Sequence, residues 1–350
     1  MFDAEQMIRT PAAWLDASGE ESEIVMSSRV RVARNLMSHR FAHVCDNEEL
    51  SEILAKVGAA AGAVDTFANG RTIAMGELST LDRQFLLERH LVSREFLFNS
   101  TNRGLWLNRA EDVSLMINEE DHLRMQAFAS GLDIASAHEK VSRLDDALGP
   151  RLDIAFSDRF GYLTACPTNV GTGLRVSVLI HLPGLVHSRE INKLLESVGK
   201  LNHTIRGFFG EGSDMMGNFF QLSNSTTLGA TEEDIVKRLK EMAVKVVNFE
   251  RKARDVLFGK ARSLLEDKVW RAYGLLRYAR SVSTKEALSL VSAVRLGVGV
   301  GIIRDVSVGT LNHLLVYIHP AHLQKMRGRT MDAQERDVVR AEFIRGELGR

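Results

Sequence analysis

The chain has 350 residues, of which 45% are hydrophobic and 26% are charged, and its 45 Lys and Arg balance 45 Asp and Glu. This is the composition of a globular protein, and the length is enough for two domains. No apolar run reaches a membrane span, MFDAEQMIRTPAAWL lacks the apolar stretch of a signal peptide, and two cysteines imply no disulfide framework. We therefore expect a soluble cytoplasmic protein with no membrane segment.

Four segments in the first 225 residues combine an alternating strand pattern with an arginine beside a turn. In IVMSSRVRVARNL, Arg29 and Arg31 alternate with valines and so share one face of a strand. VSLMINEEDHLRMQAF reads as a hairpin with carboxylates at its tip. RFGYLTACPTNVGTGLRVSVLIHLPG and LNHTIRGFFGEGSDMMGNFFQLSN each place two apolar runs around a glycine-containing turn.

These arginines suggest a phosphate site. The planar guanidinium fork binds two phosphate oxygens at once, and phosphoryl transfer depends mainly on positioning and charge stabilisation. The alternative is that each strand arginine lies on a solvated face, since periodicity cannot show that distant segments converge.

Other phosphate and catalytic motifs are missing from the sequence. It contains no P-loop, no G-x-S-x-G elbow and no His or Cys spacing typical of a zinc site. LGVGVGIIRD has Ile302 where a dinucleotide fingerprint needs its third glycine, so we expect a loop or tight helix packing there.

The last hundred residues differ from the rest of the chain. Residues 251–350 contain 19 Lys and Arg against 10 Asp and Glu, so the first 250 residues carry an equal acidic excess. Helical spacing begins at Thr231, which opens a Thr-x-x-Asp capping pattern. Helices are predicted over 231–259, 264–279, 284–296, 310–318 and 333–348. This basic tail has no aromatic interleaving of the kind that binds nucleic acid, so a nucleic-acid partner is not expected.

Three separated motifs resemble the phosphagen kinases, the ATP:guanidino phosphotransferases. C-P-[ST]-N-x-G-T-x-x-R matches at 166–175, NEEDHLR at 118–124 and S-[ST]-R-x-R at 27–31. The closer likeness is to the bacterial protein-arginine kinases of the McsB type. Only 26 residues precede the first motif, where metabolite kinases carry a helical domain, and RDVVRA at 336–341 matches the R-D-x-x-R-A phosphoarginine-binding motif.

The resemblance implies an α+β fold in two parts. The first, residues 1–255, is a phosphagen kinase catalytic domain with an antiparallel β-sheet flanked by helices. The second, residues 256–350, is an α-helical C-terminal domain for phosphoarginine binding and dimerisation. ATP and Mg²⁺ are the implied cofactors, with no protein ligands for the metal.

The resemblance also implies site residues, with five arginines holding the phosphates and His90, in a helical-looking segment, facing the base or ribose. The implied ATP-binding residues are Ser27, Ser28, Arg29, Val30, Arg31, His90, Arg124, Arg175, Val176, Ser177, Val178, Leu179, Arg206, Gly207, Phe208, Phe209, Gly210 and Glu211. The implied allosteric phosphoarginine site comprises Arg336, Asp337, Arg340 and Ala341. Arg336 and Arg340 stand four residues apart, on one face of a predicted helix.

Two glutamates are the predicted catalytic residues. A guanidinium is protonated at ordinary pH and becomes a nucleophile only when a proton leaves. One carboxylate can accept that proton while a second fixes the plane of the group. We expect Glu211 as the base and Glu120 as the orienting carboxylate, although the residues alone leave their order open. Cys166 would be a nearby thiol that tunes the site, or alternatively a buried apolar thiol.

The predicted function is therefore phosphorylation of arginine side chains in proteins. The resemblance further implies a stress repressor of the CtsR type, an activator of the McsA type, and marking of proteins for the Clp unfoldase–protease, with the enzyme as a homodimer or larger oligomer. The alternatives are a kinase of free arginine or another small guanidino compound, and a catalytically idle module that binds phosphoarginine or nucleic acid.

Overall fold

The structure is a computed structural model that describes residues 2–98, 100–207 and 216–349. Its described strands are β1 Val25–Arg34, β2 Arg71–Ala74, β3 Gly104–Leu107, β4 Val113–Ile117, β5 Leu123–Ser130, β6 Phe156–Ser157, β7 Gly161–Tyr162, β8 Leu174–His181, β9 His203–Gly207 and β10 Phe219–Asn224. The described helices are α1 Ala4–Arg9, α2 Asn47–Gly62, α3 Thr80–Glu88, α4 Ile134–Leu148, α5 Pro183–His187, α6 Ile191–Gly199, α7 Glu232–Tyr278, α8 Thr284–Gly299, α9 Val308–Tyr317, α10 Pro320–Arg327 and α11 Ala333–Leu348.

Eight strands form one antiparallel sheet in the order β2-β3-β4-β5-β1-β8-β10-β9. The predicted hairpin is present as β4–β5, the two runs of LNHTIRGFFGEGSDMMGNFFQLSN pair as β9 and β10, and β1 lies at the centre. The run GYLTA is different: only Gly161 and Tyr162 of it form a strand, which pairs with β6 outside the large sheet. The α+β fold is confirmed.

The two faces of the sheet have different partners, as strand alternation requires. Val30, Val32, Val176 and Val178 point to one face and pack with α2, α4 and the first part of α7. On the other face, Phe128 packs with Leu179, Phe219 and the C-terminal helices. The helical region thus covers one end of the face that also carries Arg29 and Arg31.

The C-terminal region is helical as predicted, with two differences. The helices expected over 231–259 and 264–279 form one run, α7, whose backbone departs from helical angles at Ala261 (φ −138°, ψ 36°). The short helix α10 was missed by the sequence analysis. It begins with Pro320, a residue favoured at the first helical position because it has no N–H to leave unpaired.

The LGVGVGIIRD segment gives tight helix packing, as expected. A Cβ at Gly297 would lie 2.3 Å from a methyl carbon of Val269, so α7 and α8 approach closely there. Among the described residues, no helix is both long and apolar enough to cross a membrane.

Candidate active site

Five arginines from four strands converge on one face of the sheet. Arg31 of β1 stands opposite Arg175 of β8, and Arg29 is two residues away on the same face. Arg124 of β5 and Arg206 of β9 share that face by register with β1 and β10. All five line a single cleft of about 880 Å³. The fold therefore brings together the four arginine-bearing segments, whose convergence could not be shown by sequence periodicity.

These five arginines, here called the cationic cluster, repel one another, and their positive charge is only partly neutralised by neighbouring carboxylates. Burial first, and then repulsion by Arg124 and Arg175, lower the pKa of Arg29 to about 10. Burial and then repulsion by Arg29 lower the pKa of Arg31, and burial with repulsion from Arg206 lowers that of Arg175. Within the described residues, the buried Nε of Arg31 has no hydrogen-bond partner. A group of partly buried cations with an unused donor fits a polyanion such as a triphosphate.

One member of the cluster is held by a carboxylate that the sequence analysis missed. Glu119 is buried and accepts a hydrogen bond from Arg124 Nη1 at 2.5 Å. Its other oxygen accepts from Ser93 Oγ at 2.5 Å. Burial alone would lower the pKa of Arg124, but Glu119 reverses the shift and raises it. Glu119 therefore fixes the orientation of Arg124.

The far end of the cleft is aromatic and contains His90. This residue does not lie on the helix that the sequence predicted: α3 ends at Glu88, and His90 has a positive φ of 60° in the following turn. Its ring lies 5.9 Å from that of Trp14, which stacks on Phe128 at 5.1 Å. Burial and the charge of Arg29 lower the pKa of His90 to about 3, so the imidazole is neutral. A neutral ring in an aromatic wall suits a nucleoside.

The turn carrying His90 is anchored by the C-terminal helical region. Both carboxylate oxygens of Glu88, the last residue of α3, lie 3.0 Å from the backbone N of Ala321. The Glu88 carboxylate also accepts from the backbone N of His322 at 3.0 Å and contacts His322 Nδ1 at 2.9 Å. The N-terminus of α10 thus holds the base of one cleft wall through a buried carboxylate, which the helix dipole also favours.

We predict that Glu88→Gln lowers the free energy of unfolding by about 1–3 kcal/mol, because an NH₂ group replaces one of the two oxygens that accept from the start of α10 in a buried site. The misplaced turn should also raise KM for ATP with little change in kcat. Urea denaturation and steady-state kinetics test this. Glu77→Gln, at an exposed position before α3, is the control. An unchanged KM would restrict Glu88 to a structural role.

At the opposite end, Glu120 and Cys166 line the cleft together. Partial burial first, and then repulsion by Asp121, raise the pKa of Glu120. Asp121 itself is buried and accepts from Asn35 Nδ2 at 2.6 Å and from the backbone N of Ala165 at 2.7 Å. This pair of bonds ties the β4–β5 hairpin tip to the segment that carries Cys166. Glu211, the predicted base, lies outside the described residues.

The Cys166 thiol is partly exposed, with Sγ 3.0 Å from Thr168 Oγ1. It lines the cleft without being part of the cationic cluster. We predict that Cys166→Ser keeps most of the activity, within about threefold of kcat/KM, because a hydroxyl can replace the thiol in this contact. Initial rates of phosphate transfer measure this. Complete loss of activity, with the fold intact by circular dichroism, would show that the thiol is essential.

The remaining residues of the predicted ATP site divide by strand face. Gly207 lines the cleft, and three others border a small extension of it next to His90: Ser27, Ser177 and Leu179. The side chains of four residues point away from the cleft, to the opposite face: Ser28, Val30, Val176 and Val178. Consecutive residues of a strand alternate, so half of each predicted run cannot reach the ligand with its side chain. Phe208, Phe209 and Gly210 lie outside the described residues.

The RDVVRA segment lies on α11, away from the cleft, and its arginines are not both free at a surface. Arg340 is 1% exposed and donates to the carbonyls of Ile318 at 2.7 Å and Val282 at 2.8 Å, and to Asp337. Arg336 is half-buried and donates to the carbonyl of Met331 at 2.8 Å. Ala341 is buried. Arg340, expected beside Arg336 in the ligand site, is instead buried, because its guanidinium connects three segments of the helical region.

The described residues contain no group of three or more His, Cys, Asp or Glu that could hold a metal ion. The cleft instead presents guanidinium groups to an anion at its centre and a carboxylate with a thiol at one end. This arrangement can bind a polyphosphate between a nucleoside and a cationic acceptor.

Fold and site together define a phosphotransferase that acts on guanidino groups. Residues 52–253 match the sequence model of the ATP:guanido phosphotransferase C-terminal catalytic domain. A lombricine kinase crystal structure superposes with a TM-score of 0.59 at 25% identity, covering 69% of this chain and 71% of that one. The chain therefore belongs to the ATP:guanido phosphotransferase family, and membership implies ATP as the phosphate donor.

Within this family, the similarity is to a particular branch. Residues 262–350 match the model of the protein-arginine kinase McsB C-terminal domain. A protein named protein-arginine kinase from Desulforamulus reducens is 44% identical over 96% of this chain and 95% of its own length. Another from Symbiobacterium thermophilum is 41% identical over 98% of both chains. The resemblance inferred from the three motifs is confirmed.

Proposed function

We propose that this protein is a protein-arginine kinase, which transfers the γ-phosphate of ATP to a guanidinium nitrogen of arginine side chains in proteins. The observation that carries the proposal is the cleft in which five guanidinium groups converge, with Glu120 at one end and His90 at the other. The relatives that align over nearly the whole chain support a protein substrate.

Each residue of the cleft has its own role in the reaction. Arg29, Arg31, Arg124, Arg175 and Arg206 bind the phosphate oxygens and stabilise the charge that spreads over them during transfer. Glu120 orients the substrate guanidinium, and Glu211 takes the proton from its N–H. That nitrogen then forms the N–P bond as the bond between the γ-phosphorus and the ADP oxygen breaks. Phosphoarginine and ADP leave.

Mg²⁺ fits this site through the nucleotide. The described residues offer no carboxylate cluster for a metal, and Mg²⁺ is commonly held by substrate phosphates and water. Bound in this way, it would neutralise part of the triphosphate charge. Glu120 and the arginines would keep the roles given above.

The test is incubation with ATP and a generic protein, beside a parallel reaction with free arginine, followed by measurement of acid-labile phosphate. Phosphate on protein alone is the expected result. Phosphate on free arginine alone would assign the chain to small guanidino substrates, and phosphate on neither would indicate a binding module without activity.

We also propose that RDVVRA on α11 forms an allosteric site for phosphoarginine. The half-buried Arg336 is the available cation, and the second carboxylate oxygen of Asp337 can bind the guanidinium of the ligand. The buried Arg340 holds the first oxygen of Asp337 through a hydrogen bond. Arg336→Ala should weaken phosphoarginine binding about tenfold or more, as loss of a charge-assisted hydrogen bond predicts. Isothermal titration calorimetry measures this, with the exposed Arg329→Ala as control. Unchanged affinity would remove the assignment.

The proposed cellular role is stress-linked protein quality control in the cytoplasm. It would involve a repressor of the CtsR type, an activator of the McsA type and the Clp unfoldase–protease, with the enzyme as a homo-oligomer. The support for this role is the match of residues 262–350 to the McsB C-terminal domain.

A further inference from the structure

An exposed apolar groove lies on the outer side of the loop that carries Cys166. Phe156, Phe160 and Leu228 are 49%, 43% and 52% exposed and line a groove of about 520 Å³ together with Tyr162. Large apolar side chains grouped at a surface commonly mark an interaction site. The mechanism described above uses none of these residues.

The groove and the catalytic cleft share one wall. Thr227, on the groove side, shares its single Oγ1–H between the carbonyls of Thr168 at 2.9 Å and Val170 at 2.7 Å. Thr168 lines the catalytic cleft beside Cys166. A single loop, residues 166–172, therefore lines the catalytic cleft with Cys166 and Thr168 and the groove with Gly171 and Thr172.

The shared wall is held rigidly. Tyr162 donates its backbone N–H to the carbonyl of Gly171 at 2.8 Å. Gly161 and Gly171 have positive φ angles, and a Cβ on either would lie 2.5 Å from a carbonyl oxygen. From below, the Arg34 guanidinium lies 3.3 Å from the centre of the Tyr162 ring and donates to the carbonyl of Thr172 at 2.9 Å. The groove is thus formed before any partner binds.

The charge around the groove favours a basic partner. Glu232 and Asp234, in the first turn of α7, line it, and the carboxylate of Glu233 is exposed beside them. Glu232 forms ion pairs with His138 and Arg34, whereas Asp234 is exposed to solvent. Arg159 is the cation that lines this groove among the described residues. A polypeptide segment that contains arginine would meet attractive charge here.

We propose that this groove binds the polypeptide that flanks the target arginine of a protein substrate, and that it selects an apolar residue close to that arginine. The proposal rests on the proposed function, because it assigns a binding surface to the same reaction. An extended chain advances about 3.3 Å per residue, so a residue about three positions from the arginine could pass over the loop and reach the rings.

The test compares two peptides of equal length with a single arginine. One carries phenylalanine three positions before and after the arginine, and the other carries alanine at both places. The protein should phosphorylate the phenylalanine peptide with a kcat/KM about tenfold higher, the typical worth of one apolar contact in a pocket. Phe160→Ser and Leu228→Ser should each reduce this ratio towards one, while kcat/KM for the alanine peptide changes by less than about twofold.

The alanine peptide reports on folding in each variant, so a misfolded protein cannot imitate the result. Phe249→Ser, which removes a ring of similar exposure on α7, is the matched control and should keep the tenfold ratio. A ratio near one in the unmodified protein, or a ratio unaffected by both groove variants, overturns the proposal. Loss of a dimer on Phe160→Ser in analytical ultracentrifugation would overturn it too, because a second copy of the chain would then cover the groove.

If the unmodified protein phosphorylates neither peptide and no generic protein, the proposed function itself fails. That outcome is distinct from equal phosphorylation of both peptides, which is consistent with the proposed function and contradicts only the proposed role of the groove.

Discussion

Replacing Arg31 with methionine is expected to lower kcat/KM about 10³-fold and, in the absence of nucleotide, to make the protein more stable. Methionine approximates the length of the side chain without its charge. The loss follows from removing a preorganised cation from the site of charge development, where arginines contribute about 10³–10⁵ in phosphoryl transfer.

The gain in stability follows from the same cluster. Burial and repulsion by Arg29 and Arg124 lower the pKa of Arg31, so its charge is unfavourable in the folded protein before a ligand binds. Replacing a poorly compensated, partly buried charge with an apolar group should raise the free energy of unfolding by about 1 kcal/mol. A residue that only supported the sheet would show the opposite sign.

Two measurements check the result together. Steady-state kinetics give the loss of activity, and urea denaturation with and without ATP gives the stability of each form. ATP should stabilise the unmodified protein more than the variant, because ligand binding adds stability in proportion to its affinity. Arg109→Met, at an exposed position between β3 and β4, should change neither quantity. Decreased stability with preserved activity in Arg31→Met would contradict the assignment.

The sequence predicted the arginine faces well because strand alternation is a local property. Arg29 and Arg31 had to share a face once IVMSSRVRVARNL was read as a strand. Their meeting with Arg175 and Arg206 depends on strand order and register, which are set by pairing between distant segments. The resemblance to a known family supplied that long-range information, and periodicity did not.

The groups that the sequence analysis missed all act through tertiary contacts. Glu119 is one of three adjacent acidic residues in NEEDHLR, and their order does not reveal their different roles. Glu119 holds Arg124, Glu120 lines the cleft, and Asp121 stabilises the neighbouring loop. Glu88 is a helix-terminal carboxylate whose partners are more than 200 residues away in the chain. The spacing placed Arg340 beside Arg336 on one helix face, but its partners are carbonyls from two other segments.

The second large effect is expected at the carboxylates. Glu120→Gln and Glu211→Gln should each lower kcat by about 10² or more, the usual contribution of a positioned acid–base or orienting group. Glutamine keeps the size of the side chain but cannot accept the guanidinium proton or make a charged pair with it. Glu48→Gln, an exposed change on α2, is the control. Unchanged turnover in both active-site variants would remove the pair from the mechanism.

The pH dependence separates the contribution of Glu120 from that of a passive neighbour. Burial and Asp121 raise the pKa of Glu120 above its ordinary value of 4.5, and only the ionised carboxylate can bind the guanidinium. Activity should therefore fall as the pH decreases through this raised pKa, so that the acid limb of kcat/KM lies above pH 4.5. In Glu120→Gln the group no longer titrates, and its part of the acid limb should disappear from the residual activity. An acid limb that keeps its position in Glu120→Gln would assign the titration to another group and leave Glu120 without a role as an anion.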